Sequence, residues 1–124
     1  MRRIQVWLGV GFLVFGSSMA LADGDPAAGK KVFNKCRACH VVEEDKNRVG
    51  PYLHGVIGRP AGTAEGFKYS EAMKGSGIVW SEEEIAEYVA DPKAKVPGNK
   101  MAFPGLKKPE DITNLLVYLE EASK

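Results

Sequence analysis

Cys36-Arg37-Ala38-Cys39-His40 sets two thiols three positions apart and an imidazole directly after the second. At that spacing each thiol can add to one haem vinyl group as a thioether, and the adjoining imidazole is carried close enough to the iron to bind it as proximal ligand. The pentad therefore points to one haem c, covalent through Cys36 and Cys39, with His40 on the iron. Two other chemistries use the same residue types. A thioredoxin-type thiol pair needs a surrounding succession of strands and helices, which the pattern does not supply. A zinc site needs four ligands, and only Cys36, Cys39, His40 and His54 could provide them.

Haem iron takes a second axial ligand, for which a thioether is a suitable soft donor. Beyond the first 22 residues the methionines are Met73 and Met101. Met101 ends the run Pro97-Gly98-Asn99-Lys100, stiff at the proline and permissive at the glycine, so its loop can aim sulfur inward. Met73 falls in a short helical segment, where a core side chain is the default. Without the haem pentad, Met101 would read as readily as a gap-filling core residue. Pro51 has a carbonyl but no N–H, so it could accept a hydrogen bond from His40 Nδ1–H, orient the ring and raise its basicity as a ligand. Its other reading is a simple turn proline after Gly50.

The elements that must position these groups read as helices joined by shaped loops. Asp25-Pro26 is an N-cap followed by proline at the first helical position, predicting a helix from there to the haem pentad. Val32, Phe33 and Cys36 share its packed face, and Lys30, Lys31, Lys35 and Arg37 lie elsewhere on the turn. Gly29 inside it is unfavourable by roughly 1 kcal/mol against Ala, a cost that a close helix crossing would explain. From Val41 to Thr63 periodicity stops and Gly and Pro punctuate a long loop, of a length that cofactor wrapping accounts for. Ser70 opens about one helical turn, Glu71 to Lys74, closed by Gly75. Ser81-Glu82-Glu83-Glu84 reads as a capping box before the stripe of Ile85, Tyr88 and Val89, with Pro92 ending that helix. Lys93 to Lys108 reads as a second shaped loop. Pro109 then starts the clearest amphipathic helix, with Ile112, Leu115, Leu116 and Leu119 on one face, which should pack on the first helix near Gly29. No strand-like alternation competes, so the fold class is all-α.

The first residues carry an address. Arg2 and Arg3 precede a mostly apolar Ile4 to Phe15, and Ala20-Leu21-Ala22 is an A-x-A cleavage signal. Residues 1–22 are therefore expected to be a secretory signal peptide cut after Ala22, leaving residues 23–124 as one small domain in the periplasm. The apolar run is short for a spanning helix, so no stable membrane insertion is expected. Of the 17 Lys and Arg against 16 Asp and Glu in the whole chain, two arginines leave with the leader, so the remainder carries 15 against 16. That balance gives no bulk attraction to nucleic acid. A core of this size would be marginal without a bound group or a cross-link.

Taken in order, Gly29-Lys30-Lys31-Val32-Phe33, the haem pentad, Gly50-Pro51-Tyr52-Leu53-His54-Gly55, Phe67-Lys68-Tyr69-Ser70, Trp80, Glu87-Tyr88, Pro97-Gly98-Asn99-Lys100-Met101 and the Leu-rich last helix closely resemble the class I cytochromes c, in the bacterial cytochrome c2 and mitochondrial cytochrome c branch. The likeness spans nearly all of Asp25 to Lys124. It implies a small cytochrome c fold with crossing N- and C-terminal helices, His40 and Met101 as axial ligands, and Pro51 supporting His40. It further implies that Tyr69 and Trp80 donate hydrogen bonds to a haem propionate, that Arg59 lies near the propionates, and that Tyr88 lies beside the Met101 sulfur. Two positions depart from the family pattern: Met73 stands where relatives often carry a small amide, and Asn99 where the mitochondrial branch places threonine.

With both axial positions filled by protein, the iron has no open site for a substrate and one-electron exchange is what remains. The expected function is an electron carrier, not an enzyme, and a monomer. Its partners would be membrane or periplasmic redox proteins meeting a haem edge rimmed by Lys35, Arg37, Lys93, Lys95, Lys100, Lys107 and Lys108. A haem peroxidase or gas-binding cytochrome would instead need an open sixth site, and a thiol oxidoreductase would use the cysteine pair without haem.

Overall fold

The computed structural model describes residues 23–124, together with Gly9 and Gly11. Apart from those two glycines the proposed leader, including the Ala22 cut, lies outside the described residues. The described residues fold into five helices: α1 Pro26–Phe33, α2 Glu71–Lys74, α3 Glu82–Ala90, α4 Pro92–Lys95 and α5 Pro109–Ala122. Among the described residues there is no strand, only isolated bridges between His40 and Asn47 and between Pro60 and Val79. The all-α expectation stands.

Each helix start has a chemical cause. Asp25 Oδ1 accepts the Ala27 N–H at 2.9 Å with Pro26 at the first helical position, satisfying an orphan donor with a residue pair suited to it. α1 stops at Phe33, short of the pentad the sequence reading carried it to. The chain continues in tight turns: Cys36 N–H donates to Phe33 O at 2.8 Å and His40 N–H to Cys36 O at 2.9 Å. These turns present Cys36, Cys39 and His40 together. Ser70 and Ser81 cap α2 and α3 as expected, accepting from Met73 N at 3.1 Å and Glu84 N at 3.2 Å.

Two expectations are corrected. The capping box at α3 is only half made, because Ser81 N–H donates to Val79 O at 2.7 Å while the Glu84 carboxylate meets Lys95. The stretch after Pro92 is also not all loop. Asp91 Oδ1 accepts the Ala94 N–H at 3.2 Å, with Pro92 at the first helical position of α4. Asp91-Pro92 is the same start signal as Asp25-Pro26, but the short segment it opens has no apolar stripe to announce it.

α1 and α5 pack on each other more extensively than any other helix pair, with Gly29 buried at the crossing. Phe33, 2 % exposed, and Tyr118 stack with ring centroids 5.3 Å apart and planes tilted by 46°, a geometry worth about 0.5–1.5 kcal/mol beyond burial. Leu115, Leu116 and Leu119 of α5 join Ile85 of α3 in the same core. This frame leaves the loops on either side of α2 and α3 to form the walls of a cavity.

Candidate haem site

The cavity has a volume of about 520 Å³, within the usual range for a small-molecule or cofactor site. The pentad contributes Cys36, Cys39 and His40 to its wall, and the loop after α4 contributes Met101. The rest is mainly apolar, from Phe33, Leu53, Val56, Ile85, Leu115 and Leu119. All nine site residues named from the sequence line it: Cys36, Cys39, His40, Pro51, Arg59, Tyr69, Trp80, Tyr88 and Met101.

His40 Nδ1 lies 2.7 Å from Pro51 O. A carbonyl only accepts, so Nδ1 carries the proton and the Nε2 lone pair is free for a metal. Burial lowers the His40 pKa, and Arg59 adds to that, against the Pro51 hydrogen bond, which opposes it. The ring is thereby held neutral, the form that binds iron. Gly50 packs directly on the His40 ring, and a Cβ there would overlap the imidazole. The sequence reading had Gly50 only as punctuation; its role is to let backbone press against the ring and fix its plane.

Cys36 and Cys39 are not bonded to each other. As a thiol, Cys36 is pushed up to about 11, chiefly by burial, with Cys39 adding and Lys35 opposing. Such a group is a poor nucleophile at neutral pH, contrary to what thiol–disulfide chemistry requires. The zinc reading also fails. No cluster of three or more His, Cys, Asp or Glu suited to a metal occurs among the described residues, and His54 instead contacts Asp45 Oδ1 at 2.8 Å and Lys124 O at 3.2 Å.

On the cavity wall, Tyr88 Oη stands 3.9 Å from Met101 Sδ and 3.4 Å from Asn99 Oδ1. Burial pushes the Tyr88 hydroxyl up to about 12, so it keeps its proton. Trp80 packs against Tyr88 with centroids 5.0 Å apart. Met73 is buried in the core and also reaches the cavity wall. Tyr69 Oη accepts the Ala64 N–H at 3.0 Å, which leaves its own proton available to an anion. Burial raises its pKa, keeping it a donor. Arg59 donates to Tyr52 O at 2.9 Å and His54 O at 3.2 Å, and its guanidinium lies 5.0 Å from the Tyr52 ring centroid. These contacts hold a positive charge at the cavity wall.

Comparison with known proteins decides which cofactor this donor set serves. The profile of the family described as cytochrome c matches residues 26–123. The chain is a member of the cytochrome c family. It is 54% identical over 102 residues to cytochrome c-550 of Nitrobacter winogradskyi, covering 82% of this chain and 94% of that protein. It is 47% identical over 113 residues to cytochrome c2 of Blastochloris viridis, covering 90% and 89%. The solved structure of cytochrome cH from Methylobacterium extorquens superposes with a TM-score of 0.75 at 47% identity, covering 79% of this chain and 99% of that one.

As a cytochrome c, the chain carries one haem c on its Cys-x-x-Cys-His pentad and works as an electron carrier, not an enzyme, exchanging electrons with redox partners. The cavity fits that group. Its apolar walls suit the macrocycle, the pentad supplies both thioether sites, and Arg59 with the Tyr69 hydroxyl offers cation and donor to carboxylates. No helix among the described residues is long and apolar enough to cross a membrane.

Of the basic residues expected at the haem edge, not all face the cavity. Lys95 is committed to Glu84 Oε2 and Glu87 Oε2, contacts that raise its pKa and pin α4 to α3. The Arg37 guanidinium lies 5.6 Å from the Phe33 ring centroid. Of the remaining lysines, Lys35 and Lys100 line the cavity, joined by Lys68, which the sequence reading passed over. Lys93, Lys107 and Lys108 are exposed but do not line it.

Proposed function

We propose that this cytochrome shuttles single electrons with His40 and Met101 as the two protein ligands of its haem, residues 23–124 forming the haem domain. The observation that carries the reading is the cavity that His40 and Met101 both line, one ring oriented by Pro51 and one sulfur beside Tyr88. When bound, the haem supplies an Fe(III)/Fe(II) couple whose potential a His/Met set raises relative to other ligand sets. The protein's part is to hold Nε2 of His40 unprotonated, to offer the Met101 thioether, to keep water off the ring with apolar walls, and to meet the propionates with Arg59, Tyr69 and Trp80.

Docking is assigned to the cavity mouth. Val49 lines the cavity and is 79 % exposed, and Lys35, Lys68 and Lys100 stand around the same opening. An apolar contact ringed by cations suits a brief encounter with an acidic, membrane or periplasmic redox protein, since charge speeds approach more than it strengthens the complex. Residues 1–22, read as a secretory signal peptide, support export to the periplasm with cleavage after Ala22.

A spectroelectrochemical titration of the matured protein tests the reading. A single one-electron wave with low-spin, six-coordinate spectra in both oxidation states is expected. A high-spin ferrous form that binds carbon monoxide at once would contradict it.

A further inference from the structure

Asn99 is placed to do more than fill its loop. Its Nδ2 donates to Pro92 O at 2.9 Å and to Val96 O at 2.8 Å, so both amide protons are used. Flipping the amide would face its oxygen toward two carbonyls, so the orientation is fixed by its partners. Oδ1 is thereby turned to accept Met101 N–H at 2.8 Å. A carbonyl oxygen has a second lone pair, and the group next to it is the Tyr88 hydroxyl at 3.4 Å. That hydroxyl has one proton to donate, and its other acceptor is Met101 Sδ at 3.9 Å. An amide oxygen is the stronger acceptor, a thioether a weak one.

We propose that Asn99 is a positioning residue for the Met101 sulfur: its amide ties the loop to α4, and its Oδ1 draws the Tyr88 proton away from Met101 Sδ. The sulfur then keeps its full donor strength toward iron. This role rests on Met101 being the axial ligand. α4 is itself held to α3 by Lys95 with Glu84 and Glu87, so the anchor has a fixed base.

The test is a cycle of holoprotein variants: wild type, Tyr88→Phe, Asn99→Ala and the double variant, each read by reduction potential. A hydrogen bond on sulfur weakens its donation and favours Fe(II). Tyr88→Phe should therefore lower the potential further in the Asn99→Ala background, where the proton has moved to sulfur, than in the wild type. Equal shifts in both backgrounds would overturn the proton-drawing role.

The anchor is read separately, by the affinity of the ferric protein for added imidazole, which competes with Met101. Losing anchoring hydrogen bonds in Asn99→Ala should raise that affinity about tenfold. Asn99→Asp should raise it too, while keeping the Tyr88→Phe shift as in the wild type, because it keeps an acceptor oxygen and loses the Nδ2 donors. An unchanged imidazole affinity in both variants would overturn the anchor. Retention of the sulfur-to-iron charge-transfer band in Met101→Ala would instead sink the ligand assignment, a failure distinct from an additive cycle in a protein whose band depends on Met101.

Discussion

The Asn114 carbonyl oxygen of α5 occupies the space where any side chain on Gly29 of α1 would begin. A Cβ at position 29 would overlap that carbonyl and crowd the Tyr118 side chain. Because the obstruction is helix backbone, it cannot rotate aside, and the two helices would have to part. Backbone contact at this depth is what lets α1 and α5 close one side of the haem cavity, through Phe33, Leu115 and Leu119.

Gly29→Ala is therefore expected to destabilise the holoprotein by about 1–3 kcal/mol, the usual range for overpacking. This is the reverse of the gain that helix propensity alone would give. Urea unfolding measures it. A variant as stable as wild type would show that the helices do not cross at Gly29.

Cys36→Ala with Cys39→Ala should prevent recovery of stable holoprotein. The domain is small, and a bound group that fills its cavity stabilises the folded state by mass action. Acid–acetone extraction of whatever forms should strip its haem. Haem that stays with the double variant would contradict covalent attachment.

His54 should make stability depend on pH. Asp45 Oδ1 and Lys124 O both accept, so the ring satisfies both only with two protons, and its pKa lies above 6.5, chiefly through the Asp45 hydrogen bond. A raised folded-state pKa means that this stabilisation is present below the unfolded value near 6.5 and is lost as pH rises through the folded one. The urea midpoint of wild type relative to His54→Asn should fall as pH is raised through that window. A difference between the two that does not change with pH would contradict a stabilising role for the His54 contacts with Asp45 and Lys124.

The residues proposed to hold the haem were legible because their chemistry is local: a pentad for attachment, a proline carbonyl for His40, a methionine in a Pro-Gly loop. Gly29 was legible as a cost inside a helix that only close packing could offset. What stayed hidden depends on partners far away in sequence. Nothing in a lone Gly50 says that it backs the His40 ring. Asn99 makes sense only once α4 exists to receive its amide. Lys95 reads as one more surface lysine until α3 brings Glu84 and Glu87 against it. α4 carries a start signal in Asp91-Pro92, which reads in sequence only as the end of α3, and it is too short to show periodicity.

Lysines at the cavity mouth and Lys95 should separate in kinetics. Lys35→Ala and Lys100→Ala should slow second-order electron transfer with an acidic redox partner, and the deficit should shrink as ionic strength rises. Lys95→Ala should leave that rate near wild type and lower the urea midpoint, since its charge is already spent on α3. Stopped-flow mixing over a salt series checks both. Equal slowing by all three variants would restore Lys95 to the docking rim.

The assignment of Met101 as the second iron ligand is tested most directly by the sulfur-to-iron charge-transfer band of the ferric protein, recorded for two variants. Met101→Ala should erase the band, lower the reduction potential and admit carbon monoxide or imidazole. Met73→Leu should keep the band, because a volume-conserving change at a core position usually costs under about 1.5 kcal/mol. A band that survives Met101→Ala and disappears in Met73→Leu would contradict the account.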